Sequence, residues 1–318
     1  MEHFLTNEEL AIRQSLPLEV KVEMTKRRIE EFINEFGING VYVSFSGGID
    51  STVLLHIARQ VNSDIKAVFL DTWLEYPQIR QFVKQYKNVD VIKPQKTMKQ
   101  IINESGWCFP SKDVAECIEA YRRGLKWAEN KLNGLDSKGQ KSEFRQQYKK
   151  WLPLADSDIK ISHKCCIEMK ENPVKKYEKE TDRKPIVGLM AEESARRKEA
   201  YLRTGCNSFK NRPMSKPIGF WTKQDILKYL FVNDISIAEP YGEIVEQGQR
   251  SLCKDCKLTT TGESRTGCMF CPIGCHLDNF AKFKRLKKFN PKLYDYCMEE
   301  LGEKKLLDFI NKYYVRKD

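Results

Sequence analysis

Two sets of residues in this sequence have the types and spacing to do chemistry. The first is Ser46-Gly47-Gly48-Ile49-Asp50-Ser51-Thr52, which follows the apolar run Val41 to Phe45 and precedes a helical pattern. Two glycines between a strand and a helix let backbone N–H groups approach an anion, and the helix N-terminus adds partial positive charge. That is a phosphate cradle; an ordinary strand-to-helix turn would use Gly-Gly for geometry alone. The lysine-bearing G-x-x-x-x-G-K-[ST] loop is absent, as is G-x-G-x-x-G. The second set is the cysteines: Cys165-Cys166, then Cys253/Cys256 and Cys268/Cys271 as two C-x-x-C pairs, then Cys275. Thiolates at such spacing bind zinc or an iron–sulfur cluster, and spacing does not choose between them. Cys108, Cys117, Cys206 and Cys297 read individually as small buried hydrophobes.

These residues need a scaffold. Val53, Leu54, Ile57, Ala58 and Val61 carry the helix after the glycine loop, and Asp50, Ser51 and Thr52 each suit its cap. A helix is predicted from about Leu18 to Phe36, with strands at Lys66–Leu70, Val89–Ile92 and Pro185–Leu189. Thr222 with Asp225 marks another capped helix. Alternating strands and helices predict an α/β fold, a doubly wound parallel sheet binding its ligand at the carboxyl ends of the strands, where Ser46 and Asp71 fall. The reading divides the chain into an N-terminal helical segment (1–37), a nucleotide-binding α/β domain (38–235) and a small Cys-rich C-terminal region (236–318). A helical insertion at about 107–163 interrupts the α/β domain. Between Tyr121 and Lys150 the insertion carries nine Lys/Arg against three acids, with Trp127, Phe144 and Tyr148 interleaved and Trp151 next. Cations contact phosphates and aromatics stack on unpaired bases; an amphipathic hairpin that packs its aromatics and solvates its lysines fits equally.

Composition sets bounds. A chain of 318 residues, 41% hydrophobic and 31% charged, reads as globular. No apolar run is long enough to span a bilayer and the N-terminus lacks a signal-peptide layout, so a cytoplasmic protein is expected. Eleven cysteines in that compartment point to metal rather than disulfides. A net charge of +11 favours a polyanionic partner.

Ser46-Gly47-Gly48-Ile49-Asp50-Ser51 resembles the Ser-Gly-Gly-x-Asp-Ser signature of the PP-loop ATP pyrophosphatases, with the adenine nucleotide α hydrolase-like fold. The resemblance sharpens with Asp71-Thr72, Glu75-Tyr76-Pro77, Cys165-Cys166, Gly188 to Arg197 and Arg265-Thr266-Gly267-Cys268-Met269-Phe270-Cys271-Pro272. These come in the order seen in the PAPS/APS reductase family, over about residues 38 to 290.

The resemblance implies that ATP and Mg²⁺ are held by Ser44, Ser46, Gly47, Gly48, Asp50, Ser51 and Thr52, with Ser46, Asp50 and Ser51 closest to the chemistry. It implies Asp71, Thr72 and Glu75 at the adenosine pocket, and Gly188, Ser194 and Arg197 at phosphate or sulfate. In the APS-reducing branch a Cys-Cys pair and a later C-x-x-C hold a [4Fe–4S] cluster; here those are Cys165, Cys166, Cys268 and Cys271, with Cys275 a fifth candidate and zinc the alternative metal. The branch's Glu-Cys-Gly-Leu-His nucleophile segment does not occur in this sequence, and Met190 stands where the reductases carry an arginine. The expected activity is therefore that of a similar sulfurtransferase: adenylation of tRNA or DNA with pyrophosphate release, then sulfur delivery from a donor such as a cysteine desulfurase. Sulfonucleotide reduction and a non-catalytic iron–sulfur sensor are the alternatives.

Overall fold

The computed structural model describes residues 4–247 and 257–315. The chain divides into two compact units, one of residues 1–92 and 174–266 and one of residues 93–173 and 267–318.

The first unit is built on a six-stranded sheet. Its strands are β1 (Val41–Ser44), β2 (Ala67–Leu70), β3 (Val89–Ile92), β4 (Lys184–Ile186), β5 (Asn207–Ser208) and β6 (Met214–Ser215), in the order β3-β2-β1-β4-β6-β5. All neighbours pair in parallel except β5 with β6 at the edge. Strand side chains alternate between faces. Val41, Val43, Ala67 and Phe69 join the main core, where Ile29, Phe32, Val53, Leu54, Ile57, Trp221 and Ile226 are also buried. Tyr42 and Val68 pack on the opposite face against Tyr177. Both faces are thus covered, as a mainly parallel sheet requires.

The order reverses direction at β1, with β2 on one side and β4 on the other. The loops leaving β1 and β4 therefore diverge at the switch point where such sheets bind ligands.

Helix Leu18–Phe36 lies against this core and ends at Gly37, whose N–H donates to the Ile33 carbonyl at 2.7 Å. It buries one charge: Lys21 is 1% exposed. Its Nζ donates to Asp225 at 2.6 Å and to the Gln14 carbonyl at 2.7 Å. Asp225 also completes the expected capping box with Thr222 at the start of helix Lys223–Val232. A two-stranded antiparallel ribbon, β7 (Ile244–Gln247) with β8 (Lys257–Thr260), completes the described part of this unit.

Helix Ile49–Val61 begins differently from the expectation. Its N-cap is Gly48, not Asp50, Ser51 or Thr52. The Ser51 and Thr52 hydroxyls instead donate back to the Gly48 carbonyl at 2.9 and 3.0 Å.

The second unit is helical. Its main helices are Met98–Ser105, Lys112–Arg122, Lys126–Leu132, Ala281–Phe289 and Glu303–Tyr314, with a nine-residue 3₁₀ run at Glu143–Trp151. Phe109, Ile118, Leu132, Trp151, Leu154, Phe283 and Ile310 are buried. Arg122 ties it together by donating to the carbonyls of Leu154, Ala155, Ser157 and Ile159. No helix among the described residues is long and apolar enough to cross a membrane.

Candidate functional site

The loop between β1 and helix Ile49–Val61 is shaped by its two glycines for different reasons. Gly47 has φ +71°, and a Cβ there would sit 2.9 Å from Ile79 Cγ2 and 3.0 Å from Val83 Cγ2. Gly48 has an ordinary φ of −77°, and its missing Cβ leaves open the space 3.2 Å from both Ser46 Oγ and the Tyr241 hydroxyl. Ser51 Oγ accepts from the Ser46 N–H at 3.2 Å and lies 3.1 Å from Ser46 Oγ, which itself accepts from the Gly48 N–H at 3.3 Å. The Tyr241 hydroxyl shares a 2.7 Å hydrogen bond with Thr266 Oγ1. The loop thus presents helix N-terminal amides at a mouth already shaped by hydroxyls.

Asp50 sits on the first turn of that helix, and its Oδ1 is buried with no hydrogen-bond partner. Burial holds its carboxyl above the usual range, against the pull of Lys223, Arg265 and Arg197. Burial likewise pushes the Lys223 ammonium and the Arg197 guanidinium down, with Arg265 adding to both. Glu193 answers the arginines: it pairs with Arg197 and accepts from Arg265 Nη2 at 2.9 Å. A cavity of about 260 Å³ opens here, lined by Asp50, Met190, Glu192, Glu193, Lys223, Ser264 and Arg265. Three cations around one carboxylate, beside helix N-terminal amides, suit a polyanion with a bound cation.

The other expected residues of this unit fall as follows. Gly188, in the loop after β4, brings its Cα against Asp50: a Cβ would lie 3.4 Å from the Asp50 carbonyl carbon. Ser194 caps helix Ala195–Thr204, its Oγ accepting the Arg197 N–H at 3.2 Å. Ser44 is the last residue of β1 and is half-buried. Asp71 is buried and committed, accepting from Arg80 Nη2 at 3.0 Å and the Trp73 N–H at 3.1 Å. Thr72 and Glu75 bond to each other, Thr72 Oγ1 donating to Glu75 Oε1 at 2.6 Å. Lys223 and Tyr241 escaped the sequence reading. Lys223 follows a helix cap and Tyr241 a proline, neither of which signals a ligand; Glu193 and Arg265 were legible only as parts of motifs.

In the second unit the thiol of Cys165 donates to Met98 Sδ at 3.8 Å. The neighbouring thiols of Cys108 and Cys165, with Lys112 and Lys170 assisting, hold Cys166 well below the ordinary thiol range. Cys166, then burial, pushes Cys108 and Cys165 up, and both feel Cys271. Cys165 also feels Cys268. Burial raises Cys271 to about 11, and Cys275, near Glu303, Asp278 and Cys271, to about 12. Among the described residues no three or more His, Cys, Asp or Glu side chains stand in an arrangement that would hold a metal ion. A four-iron cubane spaces its thiolates more widely than one ion does. Cys165, Cys166, Cys268 and Cys271, which act on one another electrostatically, fit such a cluster in donor chemistry. Cys253 and Cys256 lie outside the described residues.

The phosphoadenosine phosphosulfate reductase domain model matches residues 40–129 and 112–277, which spans both the glycine loop and the cysteines. The chain belongs to this family. An uncharacterized protein of Methanocaldococcus jannaschii is 25% identical over 265 residues, covering 82% of this chain and 47% of its own length. The chain therefore spans about half the length of that relative. The crystal structure of phosphoadenylyl-sulfate (PAPS) reductase from Candida auris, in its phosphate complex, is similar with a TM-score of 0.40 and 12% identity. The match covers 74% of this chain and 90% of that one.

Proposed function

We propose that this chain is an ATP-dependent sulfurtransferase of the PAPS reductase-like family, acting on a nucleic-acid acceptor. The observation that carries the reading is Asp50, an unpartnered carboxylate oxygen at the phosphate loop facing Lys223, Arg197 and Arg265.

In this reading the Ser46–Thr52 amides hold the nucleotide phosphates. Asp50 supplies one oxygen ligand to Mg²⁺, an ion that characteristically binds through one or two carboxylates plus substrate phosphates. Glu193 holds both arginines in place until an anion displaces it; a bidentate guanidinium grip then stabilises the charge that grows on the departing pyrophosphate. An oxygen of the acceptor attacks the α-phosphorus, the bond to pyrophosphate breaks, and the acceptor carries AMP. Sulfur from a donor such as a cysteine desulfurase then attacks the carbon bearing that oxygen, the carbon–oxygen bond breaks, and AMP leaves. Cys165, Cys166, Cys268 and Cys271 are the residues that would hold a [4Fe–4S] cluster; when bound, it supplies an iron site able to carry the sulfur. Cys275 stands next to this set, and zinc is the alternative occupant.

Pyrophosphate release measured with and without Ser46→Ala tests the proposal: turnover that falls with the substitution supports it. Binding of nucleotide without turnover would make the chain a sensor. The second reading, sulfonucleotide reduction, draws support from the family itself and from the two-arginine anion site. Thioredoxin-dependent sulfite release from APS or PAPS would replace the first reading with it.

A further inference from the structure

The insertion's basic, aromatic stretch resolves into two edges. A 3₁₀ helix has three residues per turn, so side chains at i and i+3 eclipse. Over Glu143–Trp151 this sorts Arg145, Tyr148 and Trp151 onto an inner edge and Phe144, Gln147 and Lys150 onto an outer one. The inner edge is spent on structure: Arg145 donates to the Leu135 carbonyl at 2.8 Å, Tyr148 to Asp113 at 2.6 Å, and Trp151 is 5% exposed. The outer edge is tied only at its polar members: Gln147 Nε2 donates to the Phe144 carbonyl at 3.0 Å and Lys150 Nζ lies 4.8 Å from the Trp151 ring centroid, leaving the Phe144 ring open. Phe144 is 88% exposed, the most exposed large apolar side chain among the described residues, and Gln147 and Lys150 are exposed with it.

The loop before this helix adds charge. Leu135 and Lys141 form a bridge, and Asp136 Oδ1 accepts the N–H groups of Lys138 and Gln140 at 2.8 and 2.9 Å. That tight loop holds out Lys138 and Lys141, both exposed. Asp136 is turned inward to its own backbone, so Glu143 is the one exposed carboxylate from Gly134 to Lys150.

We infer that the outer edge of Glu143–Trp151, together with Lys138 and Lys141, is a docking surface for single-stranded nucleic acid. Phe144 is the stacking platform for an unpaired base and the lysines are its phosphate contacts. A singly exposed apolar side chain is ordinary on a protein surface; what sets Phe144 apart is the set of exposed lysines around it. A base is the partner whose flat face matches a phenyl ring and whose backbone matches the surrounding charge. A paired duplex would hide the base faces. The inference rests on nucleic acid as the acceptor class proposed above, and it names where that acceptor is gripped.

Fluorescence anisotropy with a labelled single strand of about 16 nucleotides tests it, as RNA and as DNA, over a salt series. The full chain binds at low salt. Phe144→Ala weakens binding roughly ten-fold, as loss of one base–aromatic stack does. Lys138→Glu with Lys141→Glu weakens it further and flattens the salt slope by about 0.7 for each phosphate left without its lysine. All three positions are exposed, and an unchanged circular dichroism spectrum confirms that the variants fold. Equal affinity of wild type and Phe144→Ala, or equally tight binding of polyglutamate, overturns the surface. Pyrophosphate release from ATP is measured alongside. If it is absent while Phe144→Ala still weakens binding, the surface stands and the transferase reading falls; if it persists while the variants bind as wild type, the surface falls alone.

Discussion

The adjacent glycines of the phosphate loop separate two kinds of loss, and alanine at each position reads them out. Gly47 combines φ +71° with a Cβ position 2.9 and 3.0 Å from two methyl groups on helix Pro77–Lys84. Left-handed backbone costs an alanine about 1–2 kcal/mol. Overpacking against Ile79 and Val83 costs about 1–3 kcal/mol. The reduced entropy of the unfolded chain returns about 0.4–1 kcal/mol. Gly47→Ala is therefore expected to destabilise the first unit by about 1–5 kcal/mol, or roughly 2–18 °C of melting temperature for a unit of this size.

Gly48 has no backbone conflict, and its two nearest atoms are hydroxyls able to shift by tenths of an ångström. Gly48→Ala should hold its stability within about 1 kcal/mol yet put a methyl group where a phosphate oxygen would lie. Thermal unfolding and ATP-binding calorimetry, run on both variants, separate the effects. Adding Val83→Ala to Gly47→Ala should show a coupling of about 1 kcal/mol, since the two side chains meet directly. The reasoning fails if Gly47→Ala melts with wild type, or if Gly48→Ala binds ATP unchanged.

Other consequences follow from single interactions. Lys21→Met leaves the half-buried Asp225 beside an apolar side chain with only its Thr222 bonds, and chemical denaturation should report a loss of about 1–3 kcal/mol; no loss would mean the pair contributes nothing. Arg265→Ala should weaken nucleotide binding and leave the melting temperature near wild type, because Arg265 is 70% exposed and serves the site through Glu193. Glu303 is fully buried, with both carboxylate oxygens unpartnered and its pKa held well above the ordinary value by desolvation. Its folded form keeps a proton that the unfolded chain releases near pH 4.3, so stability falls as pH rises from there toward the folded pKa. Glu303→Gln should therefore raise the melting temperature at pH 8 and leave it unchanged at pH 4; an equal shift at both would refute the assignment.

Much of the architecture was legible because long periodic segments carry their own evidence. Helix Leu18–Phe36 and strand Val89–Ile92 lie where the pattern put them, and the Thr222–Asp225 box is formed. The two-residue strands β5 and β6 were not, since no periodicity exists over two positions. The fourth strand was expected to reach Leu189 and stops at Ile186, although the Val187 N–H still donates to the Ser215 carbonyl at 2.8 Å. At the candidate site the glycine loop announced itself through composition. Lys223 and Tyr241 did not, because each is brought to the mouth of the loop by tertiary packing from a separate element. Cys108 was read as a buried hydrophobe; it is buried, and Cys166 acts on its thiol electrostatically. Sequence spacing cannot reveal such a coupling between residues so far apart along the chain.

The most direct test of the account follows the α-phosphorus. ATP labelled there, incubated with the chain and a nucleic-acid acceptor, should place the label in acceptor-bound AMP and then free AMP, with unlabelled pyrophosphate released and Ser46→Ala suppressing both. Label recovered as ADP with free phosphate would mean cleavage at the γ position, and the loop would not be holding the nucleotide for attack at its α-phosphorus.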